Sequence, residues 1–94
     1  MGREVKAPTK LQRERWQQIA MLGCMICGGI PELHHLFTGA GGRKNHDAVI
    51  PLCWLHHRSP QAGIHGMGRK EFARKYGTEQ ELLHKLDLLL ATSA

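Results

Sequence analysis

Apolar residues first recur at helical spacing in Leu11, Trp16, Ile19 and Leu22, with Arg15 on the same stripe. Thr9-x-x-Gln12 supplies a capping box at the start and Gly23 a stop, so a helix is predicted between them. On it Trp16 and Ile19 are expected to face the core, and Arg13 and Arg15 to be solvated. Two short extended segments follow, Glu32 to Phe37 and Ala48 to Leu52, on either side of a loop rich in glycine and cations from Thr38 to Asn45. They read as a hairpin-like unit. Trp54 to Arg58 can start a helical turn, which Ser59-Pro60 and Gly63 should interrupt. Lys70 to Tyr76 reads as a short helix closed by Gly77. A second capping box, Thr78-x-x-Glu81, then opens a helix with Leu82, Leu83, Leu86, Leu89 and Leu90 on one face, a stripe suited to the core or to self-association. The pattern is α+β, with a flexible basic arm over residues 1–8 and a single domain over 9–94.

Length and charge narrow the possibilities. At 94 residues a single hydrophobic core is marginal, and a structural metal is a common source of the missing stability. The net charge of +5 favours a polyanionic partner such as nucleic acid. Arg43, Lys44, Arg58, Arg69, Lys70, Arg74 and Lys75 are the cations placed to track phosphates. No run approaches the roughly 18 apolar residues of a membrane span, and Met1 to Lys10 lacks the apolar run of a signal peptide. An intracellular protein with no membrane partner is expected.

The candidate chemistry lies in the centre, where all three cysteines and six of the seven histidines fall between Cys24 and His65. Cys24-x-x-Cys27 and Cys53-x-x-His56 have the spacing of two metal-binding knuckles, and their donors suit zinc. An odd cysteine count argues against a disulfide framework, and the glycines flanking Cys24 to Cys27 argue against a redox motif. Adjacent residues on a strand point to opposite faces, so His34 and His35 should serve different tasks. Adjacent residues on a helical turn differ by about 100°, which separates His56 from His57 in the same way. Two sites follow: a structural zinc on Cys24, Cys27, Cys53 and His56, and a divalent ion on His34 and His57, with His65 as a further candidate and His35 beside it as a base. His57 in place of His56 as the fourth zinc ligand remains an alternative. His65 can equally serve only as a hydrogen-bonding residue of its loop, and His84 reads as a plain surface residue.

The order of Cys24-x-x-Cys27-Gly28, Leu33-His34-His35-Leu36, His46-Asp47, Ile50-Pro51-Leu52-Cys53, His56-His57-Arg58, Gly63-Ile64-His65 and Phe72 through Glu79 resembles the HNH endonucleases. More narrowly, it is similar to the phage recombination-enhancement (Ref-like) nucleases over about residues 16 to 85. The resemblance implies a small zinc-stabilised ββα-metal core with an N-terminal helix and C-terminal helices. It implies a phage- or prophage-borne enzyme in the cytoplasm of a bacterial host. That enzyme would cleave DNA in recombination or repair, leaving 5′-phosphate and 3′-hydroxyl ends, with a recombinase filament such as RecA as a partner. His34 and His57 take the places of metal ligands and His35 that of the general base; the catalytic ion would be Mg²⁺, Mn²⁺ or Zn²⁺. The middle asparagine of the family pattern has no exact counterpart, since Ala48 stands at its usual distance from Cys53. Asn45, His46 and Asp47 can each fill the role, and His46 is favoured because an imidazole can also reach a metal. The rival reading is a non-catalytic, zinc-stabilised nucleic-acid-binding module.

Overall fold

The capping boxes set the limits of the two longest helices. In the computed structural model, which describes residues 7–36 and 45–92, the first helix α1 spans Lys10–Leu22. The Thr9 hydroxyl accepts from the Gln12 amide at 3.1 Å and the Gln12 side chain accepts from the Thr9 amide at 2.8 Å, satisfying two donors that a helix start leaves open. Gly23 ends it with φ at 80°, where an added Cβ would come within 2.7 Å of the Gly28 carbonyl oxygen. Only glycine tolerates both demands, and the chain turns there into the Cys24 knuckle. Residues 1–6 of the expected arm, and the loop stretch carrying Arg43 and Lys44, lie outside the described residues.

The hairpin consists of β1 (Pro31–His35) and β2 (Val49–Cys53), antiparallel, with His34 opposite Ile50 and His35 opposite Val49. Every residue of β2 is buried. Its apolar run lies among the helices, and the Pro51 carbonyl accepts from the Met25 amide at 2.9 Å, which joins the knuckle to the hairpin. Four helices follow: α2 (Trp54–His57), α3 (Ile64–Met67), α4 (Arg69–Tyr76) and α5 (Glu79–Thr92). The expected interruption after Arg58 is present, but the stretch beyond Gly63 forms the short helix α3 rather than a loop. Gly66 makes that possible: a Cβ there would lie 2.0 Å from the Ser59 carbonyl oxygen. Ile19, Val49, Ile50, Leu52, Ile64, Phe72 and Leu86 meet in one core.

Two surface expectations are revised. Arg15 is not merely solvated; it pairs with Asp87 of α5 at 2.5 Å and so ties the two long helices together. The leucine face of α5 divides: Leu82 and Leu86 are buried, Leu83 and Leu90 pack against the core, and Leu89 is exposed. Leu11 and Leu22 at the ends of the α1 stripe are also exposed, and Ile19 alone on that helix is buried. The architecture is a small α+β fold with cysteine and histidine clusters consistent with a ββα-metal core. Among the described residues no helix is long and apolar enough to cross a membrane.

Candidate metal centres and active site

The cysteine cluster forms where the knuckle after α1 meets the β2–α2 junction. Within the knuckle the Gly28 amide donates to the Cys24 carbonyl at 2.8 Å and the Cys24 amide to the Gly29 carbonyl at 2.9 Å. The Ile26 amide points at the Cys24 sulfur, 3.4 Å away. One donor atom from each of Cys24, Cys27, Cys53 and His56 lies within 4.8 Å of all the others. The Cys27 and Cys53 sulfurs are 3.6 Å apart, and His56 Nδ1 stands 3.7 Å from the Cys24 sulfur and 3.3 Å from that of Cys53. A disulfide needs a sulfur separation of about 2.0 Å, so these are free thiols. For comparison, zinc at about 2.3 Å from sulfur and 2.0–2.1 Å from nitrogen separates tetrahedral ligands by roughly 3.8 Å (S to S) and 3.6 Å (S to N). The donors are therefore spaced as a zinc ion requires.

Electrostatics agree with that chemistry. Burial pushes the Cys24 thiol up, but hydrogen bonds from the backbone at Cys53, Cys27 and Ile26 outweigh it and leave its pKa below the ordinary value. Cys27 goes the other way. A backbone hydrogen bond from Gly29 lowers its pKa, and the neighbouring Cys53 and Cys24 thiols, with desolvation, raise it by more. Crowded thiols resist ionising together unless a cation lies among them.

The second cluster gathers three imidazoles from three elements: His34 from β1, His57 from the end of α2 and His65 from α3. One donor atom of each lies within 4.8 Å of the others, and the ring centroids are 4.7–5.1 Å apart. Nε2 of His57 and Nε2 of His65 approach to 3.1 Å. Two nitrogens on one tetrahedral zinc would be roughly 3.3 Å apart. His34 and His57 are buried and His65 is exposed, so the cluster opens to solvent on the α3 side. Burial holds the His34 pKa below its ordinary value, with Glu79 opposing and His57 and His65 reinforcing. His65 is lowered by burial and by His57. Neutral rings keep the lone pairs that ligation needs.

Carboxylates stand behind two of these rings. Glu79 Oε2 accepts from His34 Nε2 at 2.6 Å, and Glu32 Oε1 accepts from His57 Nδ1 at 2.8 Å and from Arg58 Nε at 3.0 Å. The hydrogen bond to His57, with Arg58 nearby, holds the Glu32 carboxyl below its usual range. Neither glutamate was expected at the site from the sequence, although Glu79 ends the last of the motif pieces. Glu79 looks like an ordinary acidic residue of a first helical turn, and Glu32 precedes its partner by 25 positions.

His35, next to His34 on β1, belongs to a different group. Its Nε2 lies 3.1 Å from His46 Nδ1, and Trp16 stands edge-on to both rings. The Trp16 indole N–H donates to the His46 carbonyl at 2.9 Å, which gives this core tryptophan a hold on the segment before β2. Of the three candidates for the middle position, His46 is the one in contact with His35, while the Asn45 side chain accepts from the Asp47 amide at 2.9 Å to form the turn. Among the cations, Arg58 shares Glu32 with His57, Arg74 pairs with Glu71, and Arg69 and Lys70 are exposed at the start of α4.

Residues 8–91 match the family model described as recombination enhancement, RecA-dependent nuclease. No curated protein matches the chain.

Proposed function

The chain belongs to the recombination-enhancement, RecA-dependent nucleases, and from that premise we propose that it is a metal-dependent DNA endonuclease of HNH type. Membership makes it a nuclease, acting on phosphodiester bonds of DNA in relation to RecA. The finer reading rests on the hairpin: one strand delivers His34 to a cluster of three imidazoles and its neighbour His35 to His46 and Trp16.

In this reading His34, His57 and His65 hold the divalent ion, and Cys24, Cys27, Cys53 and His56 hold a structural zinc. The catalytic ion, Mg²⁺, Mn²⁺ or Zn²⁺, supplies positive charge for the phosphate and the departing 3′ oxygen. His35 is the general base. We take His35 Nε2–H as the donor in its 3.1 Å contact with His46 Nδ1, which leaves His35 Nδ1 the lone pair that accepts a proton from water. His46 sets that tautomer and is itself held through its backbone by Trp16. The activated water attacks phosphorus opposite the 3′ oxygen and leaves 5′-phosphate and 3′-hydroxyl ends. Arg58, Arg69 and Lys70, with Arg43 and Lys44, contact the DNA backbone. Residues 1–8 form a basic arm on a single domain over 9–94, and the enzyme acts in a bacterial cytoplasm as a phage or prophage product on DNA held in a RecA filament.

The test is nicking of plasmid and of RecA-coated single-stranded DNA with Mg²⁺ or Mn²⁺, by wild type and His35→Ala. Removing a general base should slow cleavage about 10²-fold or more while zinc content and DNA binding persist. If the wild type binds DNA and cuts none, the chain is the non-catalytic zinc-stabilised binding module instead.

A further inference from the structure

Glu79 is buried, with 7% of its surface exposed, and it is the first residue of α5, immediately after the Thr78 cap. A buried carboxylate is costly unless charge and hydrogen bonds compensate it. Among the described residues its ion pair is with His34, an imidazole already facing the rings of His57 and His65. No such expense is needed to hold a helix end that Thr78 and Glu81 already cap.

We propose that Glu79 is a positioning residue for the divalent ion, acting through His34; the proposal rests on the three-histidine site put forward above. By accepting Nε2–H at 2.6 Å, Glu79 fixes the ring's tautomer and leaves Nδ1 as the nitrogen that His34 offers to an ion. Glu79 does not itself join the three donors that lie within 4.8 Å of one another; its contact is with His34 Nε2. Its charge serves a second purpose. Three neutral imidazoles bring no negative charge to a dication, whereas the cysteine cluster can bring three thiolates. Glu79 and Glu32 supply that balance from behind the rings. Glu32 is about a third exposed and divides its charge between His57 and Arg58, so Glu79 carries the larger share. Because Glu79 starts α5, occupancy of the site is linked to docking of the C-terminal helix.

The experiment titrates protein carrying a single zinc ion per chain with Co²⁺, followed by visible absorption, for wild type, Glu79→Gln and Glu79→Ala, with zinc content and circular dichroism measured alongside. Loss of such a partner weakens metal affinity by about 10–100-fold. That loss is expected for Glu79→Ala, with a smaller one for Glu79→Gln, whose amide oxygen still accepts from His34 but carries no charge. The shape of the absorption band should be unchanged in both, since the ligands are the same. Affinities within twofold of wild type overturn the proposal, and so does an altered band, which would make Glu79 a ligand. If Glu79→Ala does not fold, Glu79→Gln decides alone on the same criteria. A wild type that takes up no Co²⁺ beyond its zinc overturns the three-histidine site itself, a failure separate from that of Glu79.

Discussion

The two clusters use the same construction and differ in nearly every property that matters for reactivity. The cysteine cluster draws its donors from two short knuckles and the histidine cluster from three separate elements, and each takes one of the neighbours His56 and His57. The cysteine cluster has four donors, three of them thiols, and among the described residues its ring nitrogen faces cysteine sulfurs. It is a closed set, suited to holding a fold. The histidine cluster has three donors, an exposed edge at His65, and glutamates behind His34 and His57. Three ligands leave positions for other molecules, the arrangement of metal sites that do chemistry. A rotation of about 100° between neighbouring helical residues is enough to send His56 and His57 to different clusters.

The sharpest break of this comparison comes from those neighbours. His56→Ala, or withdrawal of zinc with a chelator, should cost the cooperative unfolding transition, because structural zinc contributes about 10 kcal/mol or more to folding in small domains. His57→Ala should leave circular dichroism and zinc content intact while removing uptake of the second ion. Equal damage from both substitutions would abolish the division into two centres.

A smaller effect tests the His35 side. Trp16→Phe keeps the aromatic edge against His35 and His46 but deletes the donor to the His46 carbonyl. A neutral hydrogen bond contributes about 1 kcal/mol, so DNA cleavage should fall about fivefold with zinc and Co²⁺ binding unchanged. Weaker ion binding in this variant would show that the His35 group and the histidine cluster are not independent.

The smallest effect concerns the start of α5. Thr78→Ala removes a cap worth about 1 kcal/mol and should lower the thermal midpoint by a few degrees, with Co²⁺ affinity reduced and zinc retained. The Glu81 half of the same box depends on pH. The Thr78 backbone and side chain hold the Glu81 carboxyl below the ordinary glutamate value. Its contribution is therefore complete above about that value, where the unfolded chain also ionises, and is lost as pH falls through the lower folded value. Thermal melts of wild type and Glu81→Gln should converge as the pH drops through that window.

How much of this was legible depends on sequence distance. Both capping boxes read correctly because each closes over three residues. The separation of His34 from His35 was visible because alternation is a property of any strand. The α3 helix was hidden, since the close approach of Gly66 to Ser59 resembles a loop signal until the chain is folded. Arg15 looked solvated because Asp87, its partner, lies 72 residues away. Glu79 was hidden in the same way, 45 residues from His34 and in a position where acidic residues are ordinary.

By itself the sequence determined the donors and their local directions: two knuckles, paired histidines that must part, and helices with marked starts. Those follow from backbone geometry that repeats within a few residues, whatever the rest of the chain does. Tertiary structure decided the company each donor keeps. Only the packing of α3 against α2 and of α5 against the hairpin brings His65 within 3.1 Å of His57 and a buried carboxylate to His34, because contacts between distant segments are set by how the core packs.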